Sequence, residues 1–271
     1  MSDFSFTGIE VKGIHKTIDS TKKAFPKTIE AVDSIVSSTV NILGYLPNTI
    51  NEYVQNSLNK TRTKLHQKLQ NTPPENITQP PVHIAAPALQ AACYSADCDE
   101  LHDMFANLLA SAMNIEKQPF VHPSFIEIIK QLSPLEAKIL SVTPFINQGS
   151  FPMCTIRLQV RGALHPLGED FRRISTGVDL YKNIAIYNSD KSLPPLDFMQ
   201  ISSISDNLTR LHIISVSDHW LSDPNHYEDL LKIYKSYVAT QCTYSEQEIA
   251  FIPFKGEFTA FGHQFFQSCI L

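Results

Sequence analysis

Residues 121–140, VHPSFIEIIKQLSPLEAKIL, hold two helix starts back to back. Ser124 is followed three residues later by Glu127, and Ser133 by Glu136. In an S-x-x-E capping box the serine hydroxyl takes an amide of the first turn and the glutamate reaches back to the serine amide. The second box also has Pro134 at the first helical position, where a missing N–H costs nothing. Phe125, Ile128, Ile129 and Leu132 share one face of the first predicted helix, and Leu135, Ile139 and Leu140 one face of the second. The polar residues therefore have backbone donors to satisfy, which is a structural task rather than a catalytic one. The stretch reads as a corner where a helical region hands over to a domain of different texture.

Upstream of the corner the pattern is helical. In DELHDMFANLLASAM, Leu101, Met104, Phe105, Leu108, Leu109 and Ala112 recur at helical spacing, the strongest amphipathic signal in the chain. Asp97 with Glu100 is the expected cap for this helix. IAAPALQAACY predicts a short helix ending near Tyr94. Residues 71–82, NTPPENITQPPV, carry four prolines and read as a linker with no regular element. Before it, Phe25, Ile29, Val32, Val36 and Val40, then Ile50, Val54 and Leu58 after Pro47, line one stripe of a long helix or helix pair. That stripe is the candidate face for self-association or for a membrane surface. Residues 34–51 contain no charged side chain across 18 positions, but Ser, Thr, Asn, Gly44 and Pro47 make them a poor transmembrane span.

Downstream the texture changes. CTIRLQVRG and NIAIY predict two strands, IISVS at 213–217 a third and IAFIPF at 249–254 a fourth, with Lys255-Gly256 as a turn. Asp197 starts a helix through FMQISSISDNLTRLHI. A further helix runs through DPNHYEDLLKIYKSYVAT, and Thr259 caps TAFGHQFFQSCI. The order helix, helix, strand, inserted helix, strand, helix fits an elaborated winged helix. The expected fold is mainly α with a small β component: an N-terminal amphipathic helical arm (1–72), a central helical region (73–132) and a winged-helix-like α+β domain with insertions (133–271).

Charge and chemistry narrow the function. The net charge is −5 over 271 residues. Residues 1–72 hold 9 Lys and Arg against 6 Asp and Glu, and the rest 13 against 21. An acidic body argues against nucleic acid, because phosphate affinity comes from clustered Lys and Arg. The polar, acidic N-terminus does not read as a secretory signal, and five cysteines without a CxxC fit a reducing cytoplasm. Cys93, Cys98 and His102 are close in sequence but lack a second ligand pair with zinc-like spacing, so they read as core. His219 and His226 flank a loop with Asp218 and Asp223, residue types that hold cations but more often face solvent. Arg62/His66 and Arg161/His165 do not match the spacing of a toxin ribonuclease, the first pair reading as a solvated helix face. No GxSxG, GxxxxGK or GxGxxG occurs, which weighs against an enzyme. No cofactor, catalytic residue or metal ligand is assigned.

The segments HIAAPALQAACYSADCDELHDMFANLLASAMN, VHPSFIEIIKQLSPLEAKIL and FTAFGHQFFQSCI together resemble the abortive-infection alpha family of bacteria, over roughly residues 75–270. The resemblance implies a role in defence against phage and supplies no catalytic residues. The expectation is a non-enzymatic defence protein that contacts a protein partner or itself, cytoplasmic or on the inner membrane. A membrane-active effector using residues 34–51 is the alternative. An enzyme with an unrecognised site, its best candidates His122, His219 and His226, is a further one. A winged-helix transcription regulator ranks last.

Overall fold

A computed structural model describes residues 33–34, 48–95, 98–142, 149–159, 177–186, 196–240 and 249–271. The side chains of residues 48–51, Gln159 and Val238 are not described. The described chain is mostly helical with one four-stranded antiparallel sheet. It divides into two compact units: Met1–Ala137 with Gln264–Leu271, and Lys138–His263.

The first unit contains α1 (Asn48–Leu69), α2 (Val82–Ala92), α3 (Asp99–Ala112), α4 (Ser124–Lys130) and the start of α5 (Pro134–Val142). The end of α8 (Ala260–Cys269) also belongs to it. The aliphatic stripe of α3 is buried as its spacing requires. So are His102, Asn107 and Ser111, which makes α3 a core helix rather than a half-exposed one. Each polar group has a partner, as burial demands. Thr61 Oγ1 and His102 Nδ1 are 3.0 Å apart. Asn107 Nδ2 donates to the carbonyls of Cys269 and Ile270, and Ser111 Oγ to that of Ser268, all at 3.1 Å. The last carbonyls of a helix lack partners inside it, so α3 supplies donors to the end of α8. Phe125 of α4 packs edge-on to Phe265, with ring centroids 5.6 Å apart.

The two capping boxes part company. Ser133 and Glu136 form theirs: the Ser133 amide donates to Glu136 Oε2 (2.7 Å) and the Glu136 amide to Ser133 Oγ (3.2 Å). Ser124 does not cap. It is the first residue of α4, Pro123 occupies the cap position, and the Ser124 amide donates to His122 Nδ1 at 3.1 Å. Glu127 pairs with Lys130 instead. At α3 the cap position is Cys98, whose side chain makes no capping hydrogen bond, and Asp97 lies outside the described residues. The proline-rich segment is tied down. Pro74–Asn76 forms a turn of 3₁₀ helix, Thr78 N donates to Met113 O, and Ile115 N to Asn76 O. Proline at the first positions of a short helix gives up no needed donor, so the expectation of no regular element fails there.

The second unit carries β1 (Ser150–Gln159), β2 (Gly177–Ala185), α6 (Phe198–Arg210), β3 (Ile214–Ser217), α7 (Glu228–Thr240) and β4 (Ile249–Phe258). Sheet order is β2-β1-β4-β3, with every pair antiparallel. Cys154, Ile156, Ile184 and Ile249 form its core with Tyr227, Leu230 and Tyr234. Asp197 caps α6 in a full capping box with Gln200. That helix stops at Arg210 rather than running to Ile213. His212 turns to φ 57° and Ile213 N bonds back to Leu208 O, a left-handed helix ending. Lys255 and Gly256 lie inside β4, not in a turn. A Cβ at Gly256 would sit 2.6 Å from Met153 Sδ and the Phe151 ring, so glycine is there to let strands and side chains close up.

Candidate interaction surface

The polar end of the sheet and the loop that leaves β3 form one surface of the second unit. Side chains alternate along a strand, and antiparallel partners share a face. Ser150 of β1, Lys255 and Glu257 of β4, and Ser215 and Ser217 of β3 therefore fall on one side. Lys255 Nζ pairs with Glu257, whose carboxylate also accepts from Ser150 Oγ at 3.0 Å. These two hydrogen bonds hold the Glu257 carboxyl below its usual range. Ser217 Oγ accepts from the His219 amide (3.3 Å) and lies 3.1 Å from His219 Nδ1. A hydroxyl held to the amide and ring two residues on is a turn motif, so this pair shapes the loop.

That loop is pinned on both sides of Trp220. Lys255 N donates to His219 O at 2.9 Å. Leu221 N donates to Tyr227 Oη at 3.0 Å, and the Tyr227 hydroxyl in turn donates to Phe254 O at 2.8 Å. Burial raises the Tyr227 pKa above that of an ordinary phenol, which keeps this relay protonated. Asp223 Oδ1 accepts from Asn225 N at 3.0 Å and fixes the following 3₁₀ turn. The indole between these anchors is 70% exposed. A large apolar side chain displayed by a fixed backbone has its ordering cost met before binding, which is the profile of an interface anchor. His219, His226, Asp218 and Asp223 of this loop carry the residue types of a cation holder, but it is Trp220 that the loop displays. The available signal was the chain's single tryptophan standing in a run of Asp, Ser, Pro and Asn.

Other groups that carry chemistry are held in structural roles. Cys93, Cys98, Cys154 and Cys269 are buried free thiols. Burial pushes Cys93 up to about 11 and Cys154 up to about 12, far from a reactive thiolate. Among the described residues, no group of three or more His, Cys, Asp or Glu is placed to hold a metal. Cys98 Sγ lies 3.5 Å from Glu100 Oε2 while His102 meets Thr61, so the two do not act as a ligand pair. Arg62/His66 is not a solvated pair: Arg62 is partly buried against Asp33, and His66 is only 4% exposed. Cys242, Arg161 and His165 lie outside the described residues.

Of the candidate self-association or membrane face, Phe25, Ile29, Val32, Val36 and Val40 lie outside the described residues, and Ile50 is placed only as part of α1. Val54 and Leu58 are 1% and 0% exposed, in the core that α1 forms with α3. Their end of the stripe is covered by this chain itself. Among the described residues no helix is long and apolar enough to cross a membrane.

No curated protein and no solved structure matches the chain. The family model described as abortive infection alpha matches residues 53–269, so the chain belongs to the abortive infection alpha family.

Proposed function

We propose that this protein serves in abortive infection, the response its family is described by, as a non-enzymatic component that works by contacting a protein partner. The observation that carries the reading is Trp220, exposed on a loop whose backbone is fixed on either side. A large aromatic side chain left exposed on a fixed backbone has apolar surface to bury and little ordering cost on binding. The finer reading takes residues 133–271 as a winged-helix-like module on the order α5, α6, β3, β4, α8. It assigns that module protein contacts rather than DNA. Self-association through Phe25, Ile29, Val32, Val36 and Val40, the part of the stripe before the buried Val54 and Leu58, is a second contact in the same proposal, and peripheral attachment to the inner membrane is its competitor.

The test is a phage challenge of cells expressing the full chain or Trp220→Ala, with abundance matched by immunoblot. Protection by the full chain and its loss in the variant are expected. A variant that protects as well as the parent would overturn the reading. Membrane fractionation of the same cells separates the competitor: a chain recovered with membranes, whose protection survives Trp220→Ala, supports attachment instead.

A further inference from the structure

We infer that the free edge of β3, together with Trp220, takes an extended basic segment of a partner protein as a fifth strand of the sheet. This deepens the protein-contact reading above and rests on it. Among the described residues the order β2-β1-β4-β3 leaves β3 outermost. Two hydrogen bonds fix which backbone groups point outward. Phe258 N donates to Gly149 O, and Thr259 N to Ile213 O. In an antiparallel ladder these bonds alternate, so even-numbered residues of β4 bond to β1 and odd-numbered ones to β3. Ser215 therefore turns its backbone groups to Glu257, and at Ser217 the ladder ends, with Lys255 N bonded to His219 O. Ile214 and Val216 turn theirs away from the sheet. Val216 is 38% exposed, Ser215 is exposed, and among the described residues nothing pairs with the outward groups of Val216. An edge of this kind is a template for strand addition, with main-chain bonds for affinity and side-chain pockets for choice. Trp220, three residues beyond the strand, supplies the anchor.

Charge selects the occupant. Residues 211–231 contain Asp218, Asp223, Glu228 and Asp229 and no Lys or Arg. Lys232 pairs with Asp229, and the nearby Lys255 with Glu257. Asp218, Asp223 and Glu228 have no ion-pair partner among the described residues. A second copy paired β3 to β3 would offer the same acidic stretch, with no Lys or Arg in residues 211–231 to complement the loop. An anionic bilayer and a nucleic acid are repelled for the same reason. A segment with Lys or Arg at alternate positions is complementary.

The full chain is titrated with a blocked eight-residue peptide of alternating valine and lysine, and with its valine-glutamate counterpart. Trp220 is the chain's single tryptophan, so its fluorescence reports the site directly. A saturable blue shift with the lysine peptide alone is expected. Val216→Pro removes only an outward N–H, and it should weaken binding about tenfold or more, as should Asp218→Asn with Asp223→Asn. Circular dichroism shows whether each variant is folded; the Asn pair keeps the test decisive if the proline variant is not. No shift, an equal response to the glutamate peptide, or full binding by the Asn pair overturns the inference. So does a shift with chain concentration alone, which marks a second copy, or with phosphatidylglycerol vesicles, which marks a lipid surface. If Trp220→Ala abolishes protection in cells while the lysine peptide does not bind, strand addition fails and the protein-contact reading stands.

Discussion

Replacing Asn107 tests how the first unit closes. Its amide donates to two carbonyls at the end of α8, those of Cys269 and Ile270, and it is itself buried. Asn107→Ala removes both bonds and takes this donor from the carbonyl of the buried Cys269 and from that of the partly buried Ile270. Each lost bond costs about 1 kcal/mol, and each buried group left unsatisfied about 1–3 kcal/mol. The expected loss is about 2–4 kcal/mol, or roughly 6–12 °C in Tm for a unit of this size. Ser111→Ala, which removes a single bond to Ser268 O, should cost about 1 kcal/mol. Asn107→Asp is the sharper variant. Its carboxylate oxygens would face two carbonyl oxygens, so it should cost more than the alanine at pH 7 and recover as acid protonates the group. Urea denaturation followed by circular dichroism measures all three. A loss below about 0.5 kcal/mol for the alanine, or an aspartate no worse than it, would refute the idea that α3 satisfies the end of α8.

Three further outcomes are expected. Ser133→Ala should cost about 1 kcal/mol through the broken capping box, while Ser124→Ala, at a position that caps nothing, should stay within about 0.5 kcal/mol; urea melts of the pair decide it. For His66, burial and then Arg62 lower the pKa below the ordinary 6.5, with Asp33 opposing. Its unfolded state therefore binds the proton first, so its contribution is full above about pH 6.5 and falls as the pH drops through that value. His66→Leu should flatten this part of the stability profile between pH 7.5 and 5, and an unchanged slope would remove His66 as the cause. At Gly262 a Cβ would lie 2.1 Å from Ile213 O, a backbone atom with no room to give. Gly262→Ala should destabilise the second unit by roughly 1–3 kcal/mol or more, visible as a lowered Tm, and a neutral result would contradict the close approach of α8 to residue 213.

Much of the element order was legible because it rests on short-range rules. The four-residue steps of α1, the stripe of α3, the Ser133 box, the Asp197 cap and the Thr259 cap each depend on residues within about one helical turn of one another. The cap at Ser124 misled for a local reason too: Pro123 already holds helical φ, so the helix begins one residue before the serine can serve. Lys255-Gly256 misled because the pair is a common turn signal, while its role here is set by Phe151 and Met153 on another strand.

The sequence by itself determined that the chain is mainly helical with a small β component, that a capped helix starts after Ser133, and which family the chain resembles. Periodicity and capping are fixed by neighbours along the chain. Only the tertiary structure decided that α3 is buried on its polar side as well, because His102, Asn107 and Ser111 find partners 41 to 163 residues away. It also decided that β3 is an edge, that Val54 and Leu58 are core, and that Trp220 is held out to solvent. Burial and exposure are properties of what packs alongside, and no local pattern carries that information.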